Sequence, residues 1–382
     1  MSEGEIDERA SGQAPDAAAL DSGRTQFERA LRRRIKGLDY LPSLAPFEGA
    51  SPRDLLIANG TLNLYRYRSH AAPVHRVPIL LVMSTGSRGY VADLGAGNSL
   101  VAHLLTAGFD LFMVDWSPPL ADEKHLKIEN YVLDFLPRCV SRIRKETGQP
   151  QPTLIGYRAG GVLAMLWAAL NADDAANDRA KSDRPQSDRG ARNLVCIATP
   201  FDYAQLSLFQ AWADRRFFDV DKLVDRFGCC PADMADGVFE IVERQPATGD
   251  DTGLWDQLWS NEQALALHNF TRWMGDILPQ AGEYFRQTIK RLLWENRLML
   301  GSLEVGGRLI DPSRITAPFL QIVAENDVLI PPEASCPLID AIGSADKNGI
   351  SVSSGHAGLF FGAEAQQLLW PALTAWLEKR SS

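Results

Sequence analysis

Thr153-Leu154-Ile155-Gly156-Tyr157-Arg158-Ala159-Gly160-Gly161-Val162-Leu163-Ala164 is the stretch on which the reading of this chain turns. A short apolar run, a turn flanked by glycines and a second apolar run predict a strand, a sharp elbow and a helix. Gly156 and Gly160 stand two residues either side of Arg158, where a tight elbow leaves no room for side chains. That frame lifts a nucleophile above the end of a sheet. The residue at its centre is an arginine, not a serine or a cysteine.

The flanking sequence supplies the sheet. Residues 62–67 alternate as an early antiparallel strand, and 77–83 form a continuous apolar run suited to a central strand. A polar loop with Gly86 and Gly89 follows over residues 84–90. In this position a loop supplies one backbone N–H of an oxyanion hole, and the residue after the nucleophile position supplies the other. Ser84 and Ala159 are therefore the oxyanion-hole candidates. A helix over 100–107 ended by Gly108, a strand over 109–116 and a helix over 128–146 continue the alternation. The expected fold class is α/β, an α/β-hydrolase fold with a mostly parallel, doubly wound sheet. Ligands in such sheets bind beyond the carboxyl ends of the strands, where the elbow must lie.

The elbow helix, 161–170, leads into a polar, charge-dense insertion over about 171–192 that reads as flexible. The sheet resumes at 194–200, and the first part of the core is assigned to 25–200. Strand signals then vanish, and 201–305 reads as an inserted helical cap. Its aromatic residues Trp255, Trp259, Phe270, Trp273, Tyr284, Phe285 and Trp294 read first as core and second as an acyl-binding pocket. The second part of the core, 306–382, holds a strand over 315–324 followed by Asp327, and a last strand followed by His356. An acid after the penultimate strand and a histidine after the last one follow the hydrolase order. Asp327, His356 and Arg158 are thus the candidate catalytic positions.

Composition bounds the rest. Among 382 residues, 45% are apolar and 23% charged, which fits a soluble globular chain. No apolar run approaches membrane-spanning length and the first residues carry no signal-like core, so a cytoplasmic location is expected. A net charge of −9 argues against a nucleic-acid partner. Residues 1–24 read as a disordered tail. Phe27, Leu31, Ile35 and Leu38 predict a helix whose Arg32, Arg33, Arg34 and Lys36 form a solvated face rather than an anionic docking patch. Cys139, Cys196, Cys229, Cys230 and Cys336 show no C-x-x-C spacing and suggest neither a disulfide framework nor a zinc site, and no metal is expected.

Together these residues resemble the polyhydroxyalkanoate (poly-3-hydroxybutyrate) synthase family, in particular the short catalytic subunits of class III that work with an accessory subunit. The similarity runs from about Leu62 to the C-terminus. It includes 64–67, 88–93, Val114-Asp115-Trp116, Gly156 with Gly160-Gly161, Thr199-Pro200, Trp273, Gln280-Ala281-Gly282-Glu283-Tyr284-Phe285-Arg286-Gln287, 327–332 and Gly355-His356-Ala357-Gly358. The resemblance implies an elbow cysteine that takes a hydroxyacyl group from its coenzyme A thioester and passes it to a growing polyester. A histidine deprotonates the thiol and an aspartate supports chemistry on the hydroxyl. His356 and Asp327 match those positions, and Arg158 occupies the cysteine's place. The coenzyme A thioester would be substrate, with no resident cofactor implied. The implied partners are a synthase catalytic or accessory subunit, a hydroxyacyl-coenzyme A or polyester ligand, a second copy in a homodimer, and the surface of a polyester granule.

A guanidinium has no nucleophilic lone pair at any working pH. Tyr157 is expected to point away from the site, and Asp327 to be available as a salt-bridge partner for Arg158. Three readings follow. The chain is a non-catalytic homologue that pairs with an active subunit. It is a hydrolase or acyltransferase of non-standard mechanism, with water activated at His356 and Arg158 on an oxyanion or carboxylate. Or it is a synthase in which Arg158 is a change particular to this chain.

Overall fold

Apolar β-prone runs assemble into one twisted sheet in the computed structural model, which describes residues 48–69, 73–95, 97–172, 190–232, 234 and 261–381. These belong to a compact unit spanning Phe47–Ser382. The anticipated tail over 1–24, the helix over 27–38, most of the insertion over 171–192, and Trp255 and Trp259 lie outside the described residues.

The chain enters through a strand without a clear sequence signal, β1 (Arg53–Asn59), which pairs antiparallel with β2 (Leu62–Tyr67). Four central strands follow: β3 (Ile79–Val82), β4 (Leu111–Trp116), β5 (Thr153–Tyr157) and β6 (Asn193–Ile197). All four are buried along their whole length, as expected for strands covered on both faces. Between β6 and the return to the sheet come two short ribbons. One joins β7 (Cys229–Cys230) to β8 (Gln280–Ala281) and the other β9 (Glu304–Val305) to β10 (Arg308–Leu309). The sheet closes with β11 (Phe319–Ala324) and β12 (Lys347–Val352). Among the described residues it has eight strands in the order β1-β2-β4-β3-β5-β6-β11-β12. The β2–β4 pair is antiparallel, and every pair from β4 to β12 is parallel.

This order places the elbow. The chain steps from β3 to β4 in one direction and then crosses back to β5 on the other side of β3. The crevice beyond the carboxyl ends of β3 and β5 is therefore the topological switch point, where such sheets bind ligands. The elbow helix Ala159–Leu170 is buried almost throughout, matching its apolar sequence. Helix Leu100–Thr106 begins on the Ser99 side chain, which accepts from the Ala102 N–H, and Gly108 turns the chain at φ 89°.

The described helices between β6 and β11 pack on the core through aromatic residues. Phe270, Trp273, Tyr284 and Phe285 are all buried, so the first reading of these aromatics, as core, fits their positions. Among the described residues, no helix is long and apolar enough to cross a membrane.

Candidate functional site

The elbow is built from its glycines. A Cβ on Gly156 would lie 2.3 Å from the Gly161 Cα, and one on Gly160 2.1 Å from the Val82 carbonyl oxygen. At Gly161 it would lie 1.9 Å from Thr199 Oγ1, which gives the Thr199-Pro200 pair a structural role beneath the elbow. A side chain at Gly156 would push β5 from the helix, and one at Gly160 would push the helix from the end of β3. Arg158 sits at the apex with φ 50° and ψ −120°. Its N–H donates to the Ile197 carbonyl at 3.0 Å, extending the β5–β6 ladder by one residue, and its carbonyl accepts from Gly161 at 3.0 Å. A non-glycine residue held there stores roughly 1–3 kcal/mol of backbone strain. Arginine thus occupies the conformation that presents a nucleophile.

Asp327 and His356, the candidate acid and base positions, meet although they stand on separate loops. Asp327 follows β11 and His356 follows β12. The loops are tied together, with Glu325 N–H donating to Val352 and Asn326 N–H to Ser354. Asp327 Oδ1 accepts the backbone N–H groups of Leu329 and Ile330 at 2.9 and 2.8 Å. Its Oδ2 faces His356 Nδ1 at 2.5 Å. The Asp327 side chain is fully enclosed and that of His356 is 14% exposed. The pairing anticipated between Arg158 and Asp327 gives way to a hydrogen bond between Asp327 Oδ2 and His356 Nδ1, with Asp327 Oδ1 taken by two backbone N–H groups.

Tyr157 corrects a second expectation. Its hydroxyl does not point away; it lies 2.6 Å from His356 Nε2. The ring packs edge-on against Phe360 at 4.8 Å between centroids and stacks at 5.6 Å from the imidazole. The phenol is long enough that a ring lodged beneath the elbow still brings its oxygen to the histidine. Burial pushes the Tyr157 hydroxyl well above the ordinary phenol range, against a smaller opposing pull from Arg158. The Arg158 guanidinium lies 5.9 Å from the centre of the same ring. Three side chains therefore form a line, Asp327 to His356 to Tyr157, with Arg158 at its outer end.

Gly160, packed against Val82 and Met83, brings the end of β3 to the start of the elbow helix. Ser84 and Ala159 therefore follow elements that touch, Ser84 buried and Ala159 half-buried. The Ala159 N–H opens a helix and so has no acceptor within it. The Val114-Asp115-Trp116 motif holds the β3 loop from one side: Asp115 Oδ1 accepts the Gly89 N–H at 2.8 Å and the Trp116 indole donates to the Met83 carbonyl at 2.8 Å. From the other side, the Trp273 indole donates to the Arg88 carbonyl at 2.7 Å, Leu278 N–H donates to Gly86 at 3.0 Å, and Thr85 Oγ1 bonds the Tyr284 hydroxyl at 3.2 Å.

No cysteine takes over at the elbow. Cys196 lies on β6 with its sulfur 3.9 Å from the Gly161 carbonyl, fully buried, and burial pushes its thiol up to about 12. Cys139 is buried and likewise pushed up to about 12. Among the described residues, no cluster of His, Cys, Asp and Glu is arranged to hold a metal ion.

Comparison with known proteins places this geometry. Residues 89–363 match the family model of the alpha/beta hydrolase fold. A carboxylesterase structure from the thaumarchaeon Nitrososphaera gargenis superposes with a TM-score of 0.50 at 12% identity, over 86% of this chain and 98% of that one, a likeness of fold alone. The chain is 30% identical to the poly(3-hydroxyalkanoate) polymerase subunit PhaC of Haloferax mediterranei, over 96% of this chain and 73% of that protein. It is also 30% identical to the PhaC subunit of Allochromatium vinosum, over 91% of this chain and 95% of that protein. With the elbow, the sheet order and the Asp–His pair in hand, these matches mean that the chain belongs to the PhaC family of poly(3-hydroxyalkanoate) polymerases, within the α/β-hydrolase fold.

Proposed function

We propose that this chain is a non-catalytic polyhydroxyalkanoate synthase homologue. It keeps the scaffold and the Asp327–His356 pair, has given up covalent acyl transfer, and acts by pairing with an active synthase subunit or an accessory subunit at the polyester. The observation that carries this reading is Arg158 in the nucleophile's own backbone conformation, at φ 50°. Its guanidinium offers five donors and no lone pair to attack a thioester. In serine hydrolases, removal of the nucleophile costs about a millionfold, the remainder being left to the oxyanion hole and binding. The relatives' own designation as polymerase subunits supports a role inside an assembly.

In this reading Ser84 and Ala159 mark a vestigial oxyanion hole, and the segment between β6 and β11 is the cap over it. Hydroxyacyl-coenzyme A or polyester remains the ligand class. The test is turnover. Purified chain incubated with 3-hydroxybutyryl-coenzyme A is expected to release free thiol at the background rate, while addition to a catalytically competent PhaC subunit alters that subunit's rate or lag. Robust thiol release by this chain alone would overturn the reading.

A further inference from the structure

The structure points to a second lock on the site, independent of the missing nucleophile. We propose that Tyr157 is a positioning residue that caps His356, holding the imidazole's one basic lone pair so that the histidine is withheld from any group placed at 158. This rests on the reading above that 158 and 356 are the nucleophile and base positions.

The proton inventory carries the argument. Asp327 Oδ1 takes two backbone N–H groups and Oδ2 faces Nδ1, so Nδ1 carries the proton donated to the carboxylate. A neutral ring protonated at Nδ1 has a single lone pair left, at Nε2. The atom 2.6 Å from Nε2 is the Tyr157 hydroxyl oxygen. Tyr157 keeps its proton, since burial disfavours the phenolate, and so it donates. The donor is also fixed in place. The Tyr157 ring is 2% exposed, stands at the end of β5 and is pinned edge-on by Phe360. In a working nucleophile–histidine pair that same lone pair must accept the nucleophile's proton. Restoring a thiol at 158 therefore does not by itself restore a thiol–imidazole pair.

Tyr157→Phe removes the donor and keeps the ring against Phe360. The first measurement is carbethoxylation of the full-length chain by diethyl pyrocarbonate, with His356 followed by peptide mass. His103, whose Nε2 lies 3.0 Å from Thr374 Oγ1 far along the chain, is the internal control. Y157F is expected to modify at His356 about tenfold faster than the parent chain, with His103 unchanged. Equal rates at His356 overturn the proposal. The second measurement compares R158C with R158C/Y157F by iodoacetamide alkylation across pH. The thiol introduced by R158C alone is expected to follow the profile of an ordinary cysteine, near pH 8.5. In the double variant the profile moves to lower pH, as it does when imidazole is free to pair. Superimposable profiles overturn the proposal. Neither assay contains an acyl thioester, so coenzyme A release by the parent chain would count against the non-catalytic reading without deciding the cap.

Discussion

Gly160 and Gly161 are adjacent and both intolerant of a side chain, but for different reasons. A methyl on Gly160 would meet the Val82 backbone carbonyl at 2.1 Å, whereas one on Gly161 would meet the Thr199 side chain at 1.9 Å. Backbone in a central strand cannot yield, and a threonine hydroxyl partly can. Gly160→Ala is therefore expected to destabilise by at least the ~1–3 kcal/mol typical of core overpacking, and Gly161→Ala by less. Thr199→Ala should recover part of the Gly161→Ala loss and none of the Gly160→Ala loss, a coupling that denaturant titration of the single and double variants measures. The need for these glycines was legible in the sequence, because a nucleophile elbow is a local object. The Tyr157–His356 contact was not. It joins residues 199 positions apart, and its existence depends on how far the β12 loop swings toward β5. An aromatic residue immediately before the elbow was the only signal available.

At the scale of elements, the segment from Trp273 to Gln287 straps the β3 loop to the core. Gln287 Oε1 accepts the Ile128 N–H at 2.8 Å and its Nε2 donates to Glu129 at 2.9 Å, while the Tyr284 ring packs at a tilt against Tyr131 with centroids 4.6 Å apart. A Cβ on Gly282 would lie 2.6 Å from the Gly228 carbonyl, so the β7–β8 ribbon closes only around glycine. The family motif over Gln280 to Gln287 thus reads as a structural joint. Trp273→Phe removes the donor to Arg88 and should cost about 1 kcal/mol, read from the melting midpoint. The same segment carries an acid-sensitive tie. Asp221, on helix Val220–Phe227, accepts from Arg286 at 2.9 Å in helix Gly282–Gln287 and from Lys290 Nζ at 2.6 Å in the helical segment Thr288–Trp294 that continues it. Lys290 first, then Arg286, holds the Asp221 carboxyl below the ordinary carboxylate range, against the desolvation that raises it. A depressed folded-state value means that the stabilisation is present above the unfolded carboxylate pKa and is lost as pH falls through the folded one. The melting temperature of the parent chain should therefore fall more steeply below about pH 4 than that of Asp221→Asn. The Asp221 side chain is 45% exposed, so the difference is small and shrinks in salt. These two-residue ribbons and the entry strand β1 escaped sequence reading because two residues carry no period and 53–59 lacks clean alternation.

At the scale of the molecule, the mostly parallel α/β sheet and the places of Asp327 and His356 after its last two strands follow from strand and helix alternation that the sequence states openly, whereas the strand order and the crossing at β3 were not legible in it, because strand pairing is a long-range choice. The arrangement brings Asp327 and His356 to the end of β5, beside Arg158. In the proposed reading, the fold has kept its elbow, its strap and the hydrogen-bonded Asp327–His356 pair around a centre that has no attacking atom. That combination is expected of a subunit retained for assembly or for binding. The most direct measurement is intact-mass spectrometry of the full-length chain after incubation with 3-hydroxybutyryl-coenzyme A. The account predicts an unshifted mass and stoichiometric recovery of the thioester. A mass increase of one hydroxybutyryl unit, with matching release of coenzyme A, would contradict it.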